Sequence, residues 1–378
     1  MEGLVSRCKC ANAPHTSVSF EHAKSSGLEA SLGFGGVITM ADATIHGHAY
    51  ARVGLLGNPS DGYFGRTLSF VLNDFSVQVI LEESSSIRIE PGPRDFESYE
   101  SVDHLADSVR RLGYYGGTRL LMATVKVFHD YCEIQDCALG NRNFTARYES
   151  TIPRQVGLAG SSAIVTATLR ALMKFYEVDI PKEIQPGLIL SAEVDELGIA
   201  AGLQDRVAQV YEGLVYMDFS EHLICSQGHG NYEPLDPALL PGMYVAYHTR
   251  PTKDSGQIHG DLRARWSDGD LTVTRTLEQI AALADEGREA IQEGDHERLS
   301  ELIDMNFNLR SDIMAIDDGD RAMIEAVRRL GVSAKLTGSG GAIVGVCNDD
   351  GKRAEIKGAL SGMSARVLKP TIGQRSTE

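Results

Sequence analysis

Apolar side chains fall on every second position at Val77, Val79 and Leu81 and again at Phe144, Ala146 and Tyr148, whereas Val165, Leu169, Leu172 and Tyr176 recur at wider steps. The first period is that of a strand with one buried face, the second that of a helix with an apolar stripe. The pattern predicts strands over 70–81, 87–90, 144–148, 214–219 and 243–247, and an earlier one from His48 that enters a turn imposed by Gly57, Pro59 and Asp61. It predicts helices through Leu105, Val109 and Leu112, over 118–131, over 165–176 and over 188–192. Three more are predicted between Leu277 and Leu330, divided at Gly294-Asp295 and at 317–320. Residues 1–45 show little periodicity and a glycine-rich run from Leu32 to Gly36, and are expected to form a mobile extension. A break near 237–242 divides the remainder into halves at 46–240 and 241–372, each long enough to bury a core.

Composition narrows the class. The chain of 378 residues is 42% hydrophobic and 23% charged, as an ordinary soluble enzyme is. No apolar run reaches the length of a membrane span, and the first thirty residues lack the order of a secretory signal, so a cytoplasmic protein is expected. The formal charge of −16 argues against nucleic-acid and anionic-membrane partners, which need a broad basic surface. The cysteines at 8, 10, 132, 137, 225 and 347 form no zinc-type pair of pairs and are expected as reduced thiols.

Candidate chemistry concentrates in one loop, Pro153-Arg154-Gln155-Val156-Gly157-Leu158-Ala159-Gly160-Ser161-Ser162-Ala163, between a predicted strand and a predicted helix. Gly157 and Gly160 clear side chains from the backbone N–H groups, Ser161 or Ser162 can cap the helix, and the helix dipole adds positive potential. Together these make an anion site, with phosphate the commonest occupant. No Lys follows the second glycine, so the loop is not the usual P-loop. Further on, Glu193 and Asp205 flank a glycine-bearing bend, and Thr337-Gly338-Ser339-Gly340-Gly341 leads into an apolar strand. The aromatics of Gly113-Tyr114-Tyr115-Gly116-Gly117 read as core packing or as a floor for a nucleotide base. Thr252 to Gly256 reads as a mobile polar loop, followed by Arg263, Arg265 and the sole tryptophan, Trp266.

These segments resemble the three ordered signatures of the GHMP kinases. The stretch from Ala51-Arg52-Val53 to Asp61 is similar to the first signature, 153–163 to the second, and Lys335-Leu336-Thr337-Gly338 onward to the third. The resemblance implies an α+β, two-domain GHMP kinase fold, with a ribosomal-protein-like N-terminal half that binds ATP and a ferredoxin-like C-terminal half. It implies that Gly157, Leu158, Ala159, Gly160, Ser161, Ser162 and Ala163 bind the phosphates of ATP. Ser162 and Glu193 would hold Mg²⁺, while Asp205 faces the acceptor hydroxyl with Arg52 beside it. The family's Glu-His pair is replaced here by Asn58-Pro59, which speaks against galactose-type recognition.

Asn58-Pro59-Ser60-Asp61, Tyr63-Phe64-Gly65-Arg66, Ile152-Pro153-Arg154-Gln155, Ala201 to Tyr211 and Gly338 to Ala342 further resemble the plant-type glucuronokinases. That likeness implies phosphorylation of D-glucuronate at its anomeric hydroxyl, feeding UDP-glucuronate synthesis. Asn58, Asp61, Tyr63, Arg66, Arg154, Gly338, Ser339, Gly340 and Gly341 are the expected substrate contacts, with Arg66 or Arg154 reading the carboxylate. A kinase for galacturonate or galactose and a non-catalytic sensor are the alternatives. A monomer or weak dimer is expected.

Overall fold

Strands β1 (Ile45–Leu56) and β2 (Arg66–Ser84) form the antiparallel spine of a six-stranded sheet in the computed structural model, which describes residues 44–92, 95, 101–102, 116–249 and 256–373. Residues 1–43 of the expected extension, with Cys8 and Cys10, the helix through Leu105, Val109 and Leu112, Tyr114 and Tyr115, and the loop 252–255 lie outside these residues, while Ile45, expected in the extension, is the first residue of β1. β2 is 19 residues long and serves three partners. Its first residues pair with β5 (Leu214–Asp218), its last with β4 (Asn143–Ser150), and β1 runs along its other side. The short β3 (Arg88–Ile89) and β6 (Asn231–Leu235) complete the sheet.

Helices cover one face. α1 (Gly117–Ile134), α2 (Gly160–Tyr176), α3 (Gln185–Val194) and α4 (Gln204–Tyr211) follow in order, with the small α5 (Glu221–Gln227) after β5. α2 crosses β1 so closely that a Cβ on Gly47 would meet Ala171 N at 2.8 Å. The alternation at Phe144, Ala146 and Tyr148 is seen as expected, each of the three being buried in β4. The glycine-bearing bend between Glu193 and Asp205 is non-helical as expected and ends where α4 begins, and β6 is not legible in the sequence because its Asn231, Glu233 and Pro234 carry no apolar period.

The chain changes sheets between Leu235 and Met243. β7 (Met243–His248) leads through α6 (Gly256–Ser267), α7 (Leu271–Glu293), α8 (His296–Ile313) and α9 (Asp318–Arg328) to β8 (Lys335–Leu336) and β9 (Ala342–Val346). α10 (Asp350–Leu360) and β10 (Ala365–Leu368) close the fold. The strand order β10-β7-β9-β8 is that of a split β-α-β unit with extra helices in its first crossover, and the class is α+β.

This second sheet is buried on both sides. Met243, Val245, Tyr247, Ala342 and Val344 join the core of the first sheet, while Tyr244, Ala246 and Ile343 pack with Met323 and Ile324 of α9 and Ile356 of α10. Two covered faces explain why Met243 to Tyr247 reads as an apolar run without alternation. Leu283 and Ala284 of α7 and Leu302 and Ile303 of α8 belong to the same core as β1 and β2, so one hydrophobic interior runs through both halves. Cys132, Cys137 and Cys347 are free thiols, but Cys225 is disulfide-bonded, which departs from the expectation of reduced cysteines throughout. No helix among the described residues is long and apolar enough to cross a membrane.

A buried lysine fastens the halves. Lys335 Nζ donates to Gly54 O at 2.9 Å, Asn58 Oδ1 at 2.6 Å and Leu336 O at 2.8 Å, and Asn58 O accepts from Asn306 Nδ2 of α8 at 3.1 Å. Burial pushes the Lys335 pKa well down. Lys335→Met keeps the chain length but strands three buried acceptors, and we expect a loss of about 2–4 kcal/mol. A lower urea midpoint with an unchanged slope is the expected result; an unchanged midpoint would remove the clamp from the account.

Candidate active site

The loop between β4 and α2 is held in an uncommon shape. Gln155 (φ 54°) and Ala159 (φ 60°) occupy the left-handed region beside Gly157 (φ 70°). For a residue with a Cβ this costs on the order of 1–3 kcal/mol and persists only where surroundings enforce it. Gln209 of α4 does so, donating from Nε2 to Ala159 O at 2.9 Å and to Tyr50 O at 3.1 Å. Ala159 caps α2 without a side-chain acceptor, contrary to the expected serine cap. Ala163 N–H donates to Ala159 O at 3.2 Å and is therefore spent inside the helix, which removes it from the expected phosphate contacts. Gly160, Ser161 and Ser162 precede that first helical bond, so their N–H groups have no acceptor within α2.

The two serines diverge because successive helical residues are rotated by about 100°. Ser161 Oγ donates to Glu193 Oε1 at 2.7 Å, whereas Ser162 is fully buried and donates back to Ala159 O at 3.2 Å. Of the two serines it is therefore Ser161, and not the Ser162 expected beside Glu193 at the metal, whose side chain meets Glu193 in this structure.

Glu193, buried near the end of α3, accepts at Oε2 from Arg206 Nε at 2.9 Å and from Arg206 Nη2. Arg206 Nη1 donates to Gly202 O at 2.8 Å and lies 3.5 Å from Asp205 Oδ2. Asp205, in the first turn of α4, accepts at Oδ1 from Arg52 Nη2. Arg52 is itself buried on β1; its backbone N–H donates to Leu158 O at 3.2 Å and its Nη1 to Thr337 O. Arg206 was not singled out in the sequence, although its place beside Asp205 at a helix start directs it back toward α3.

Asp61 completes the acidic side. Its Oδ2 accepts from Gln204 N at 3.3 Å, and Gly202 carries no side chain where Asp61's carboxylate comes closest. Burial, then the charge of Asp205, push the Asp61 carboxyl up to about 6. Tyr63 stands edge-on to Trp266 at 5.3 Å, beneath the guanidinium of Arg263, and burial raises its hydroxyl pKa to about 12.

The third glycine loop packs directly on the first. A Cβ on Gly157 would run into Gly340 O, and one on Gly338 would sit 2.6 Å from Gly157 O and 3.1 Å from Arg52 Nη1. Thr337 Oγ1 adds a bond to Gly157 O at 3.1 Å. Behind the loop, Arg310 Nη1 donates to Gly338 O at 2.7 Å and Asp320 accepts from Gly341 N at 3.0 Å on both oxygens. Burial lowers the Arg310 pKa to about 10, and the hydrogen bond to Asp320 raises that of His248. Gly338, Gly340 and Gly341 are buried and only Ser339 is partly open, so the glycines serve loop-to-loop contact first.

Two expected substrate contacts lie elsewhere. Asn58 is buried and holds Lys335, because the turn after β1 points it toward α8. Arg66, the first residue of β2, pairs through Nε with Asp285 Oδ2 of α7 at 2.8 Å, and Asp285 also accepts from Tyr216. Arg154 lies half-buried in the loop and is engaged. Arg52, Asp61, Gly157 to Ser161, Glu193, Asp205 and the 338–341 loop do come together.

Residues 119–213 match the family description "GHMP kinases N terminal domain" and residues 288–364 match "GHMP kinases C terminal". Glucuronokinase 1 of Arabidopsis thaliana is 47% identical over 317 residues, 81% of this chain and 86% of that protein. Probable glucuronokinase 2 of the same plant is 44% identical over 333 residues, 85% of this chain and 89% of that protein. The solved galactokinase of Lactococcus lactis, complexed with galactose, superposes with a TM-score of 0.68 at 16% identity, covering 89% of this chain and 95% of that one, a likeness of fold.

The raised Asp61 carboxyl makes the stability of the fold depend on pH. Its folded pKa of about 6 exceeds the ordinary 3.8, so the folded state binds more protons than the unfolded state between those values. Stability from this group is therefore greatest at low pH and is lost as pH rises toward about 6. Asp61→Asn is neutral throughout, and we expect it to melt roughly 2–4 °C above the parent at neutral pH, with the gap closing near pH 4. A gap that widens on acidification would contradict the assignment.

Proposed function

Because the chain belongs to the GHMP kinase family, we propose that it transfers the γ-phosphoryl group of ATP to the anomeric hydroxyl of D-glucuronate, giving D-glucuronate 1-phosphate and ADP. The observation that carries the reading is the joint presence of the Arg52–Asp205 pair against an uncapped helix N-terminus and of plant glucuronokinase relatives at 44–47% identity.

Phosphoryl transfer depends on positioning and on neutralising oxygen charge, with little covalent work for the protein. The N–H groups of Gly160, Ser161 and Ser162 receive phosphate oxygens, and the left-handed turn at Ala159 presents them together. Asp205 has Oδ1 committed to Arg52 and turns Oδ2 to the acceptor hydroxyl, orienting it and taking its proton as the oxygen attacks phosphorus. The guanidinium of Arg52 lies beside that point and offsets charge on the transferring group. Asp61, with its carboxyl raised to about 6, is suited to hydrogen-bond a sugar hydroxyl next to Asp205 without adding a full charge in acid.

The donor set also fits Mg²⁺. Ser161 Oγ and Glu193 Oε1 are hard oxygen donors 2.7 Å apart, of the kind Mg²⁺ takes. Arg206 offsets the second oxygen of Glu193, so the acid is not left bare in its buried place. Ser161 and Glu193 would hold the ion, which supplies charge neutralisation at the phosphates.

ADP release in the presence of ATP and Mg²⁺, measured over a panel of sugars and sugar acids, tests the reading: glucuronate should give the highest kcat/KM, and a preference for a neutral sugar would overturn it. Asp205→Asn keeps size and hydrogen bonding but removes the charge, and turnover should fall about a hundredfold or more while ATP still binds. Turnover near that of the parent would take Asp205 out of the chemistry. Glu193→Gln should raise the Mg²⁺ concentration for half-maximal rate about tenfold or more, since a neutral amide is a poor ligand for a hard cation. An unchanged Mg²⁺ dependence would make Glu193 structural.

A further inference from the structure

Arg66 is paired with Asp285 and Arg154 of the loop before α2 is already engaged, so the reader of the acceptor's carboxylate is sought elsewhere. We propose that Arg263 of α6 is that reader, a specificity-determining residue that binds the carboxylate of the sugar acid beside the Asp61–Asp205 pair; this rests on the reading of the acceptor as a uronate.

The other arginines bordering the acidic side already bond protein acceptors through their terminal nitrogens. Arg52 serves Asp205 and Thr337 O, Arg206 serves Glu193 and Gly202 O, and Arg310 holds the carbonyls of Gly338 and Ser339. Arg263 differs, because among the described residues it has neither an ion pair nor a hydrogen bond. Its guanidinium carbon lies 5.0 Å from the centroid of the Tyr63 ring, and a Cβ on Gly62 would meet its Nη2 at 3.5 Å. It is therefore spread over the Asp61-Gly62-Tyr63 turn, whose acid neighbours Asp205. Stacking occupies only the flat face of a guanidinium and leaves the N–H donors in its plane for a bidentate carboxylate contact.

The support for this cation is built into the fold. Leu262 is buried with Val273, Leu277, Ile280 and Ile313, and fixes α6 against α7 and α8. Arg265, two residues along, pairs with Asp270 at 3.0 Å and donates to Ile313 O at 3.0 Å, anchoring the helix on its other side. Trp266 backs the Tyr63 ring edge-on at 5.3 Å and also meets Phe64 at 6.3 Å. A uronate approaching Asp61 and Asp205 in a chain of formal charge −16 meets repulsion unless a cation is waiting, and Arg263 is placed to be that cation.

The test uses the full chain and the fluorescence of Trp266, the sole tryptophan, which reports binding next to Arg263 without any chemistry. D-Glucuronate and the neutral isostere glucuronamide are titrated into the parent, Arg263→Met and Arg263→Lys, and kcat/KM is measured for both compounds by ADP release. For the parent, glucuronate should be preferred about a hundredfold. Arg263→Met should lose about that factor on glucuronate and little on glucuronamide, bringing the ratio near one, with Arg263→Lys between. Arg66→Met is the control and should leave the ratio unchanged. Equal losses on both compounds, or a preserved ratio in Arg263→Met, overturn the assignment while the parent's activity on glucuronate keeps the function reading intact. A parent that neither binds nor phosphorylates glucuronate overturns both.

Discussion

One buried guanidinium, that of Arg52, joins four parts of the chain that sequence keeps far apart. Its backbone tethers β1 to the loop at Leu158, and its side chain reaches Asp205 on α4 and the carbonyl of Thr337 ahead of the third loop. Burying such a pair is a poor route to stability, since desolvation offsets much of the attraction. Its value is geometric: with Arg52 in place, the Asp205 carboxylate has Oδ1 held while Oδ2 faces Arg206 Nη1 at 3.5 Å, and the two glycine loops are locked at contact distance. The rest of the design supports that arrangement, from the close crossing of α2 over β1 to the Lys335 clamp that binds the halves beside it.

The electrostatic pattern around Arg52 alternates in sign. Asp61, Asp205, Glu193, Arg52 and Arg206 stand close enough to influence one another, and each acid except Asp61 has an arginine on it. Asp61 lacks one, and burial followed by the charge of Asp205 raises its carboxyl. The alternation lets a strongly acidic protein present cations to anionic ligands, because local contacts at short range outweigh a diffuse net charge screened within about 8–10 Å.

Elements with a strong period were legible in the sequence, including β4, α1, α2 and the three long helices after Trp266. The glycine loops could be seen as phosphate-type turns because glycine and serine in that order constrain backbone and donors locally. What stayed hidden is whatever depends on phase and on distant partners. The start of α2 at Gly160 decides that Ser161 and not Ser162 faces Glu193, and no composition rule sets that start. Asn58 and Arg66 flank Asp61 in sequence yet turn to Lys335 and Asp285, because a strand and its turn send neighbouring side chains to opposite sides. Arg263 sits on a helix too weakly amphipathic to read from its pattern, and its meaning comes only from the ring of Tyr63 beneath it.

The Thr337 carbonyl that Arg52 holds lies 285 positions further along the chain, and Asp205 lies 153 positions on. Contacts at such separation form late, since loop closure must be met before they contribute. On a ribosome the first sheet can assemble while β8 and β9 are still unmade, leaving Met243 and Val245 without their partners and the Gly157 loop without its neighbour. The arrangement around Arg52 is therefore among the last features to be completed during synthesis, and a nascent or C-terminally clipped chain carries an exposed apolar face where the finished protein carries a buried sheet.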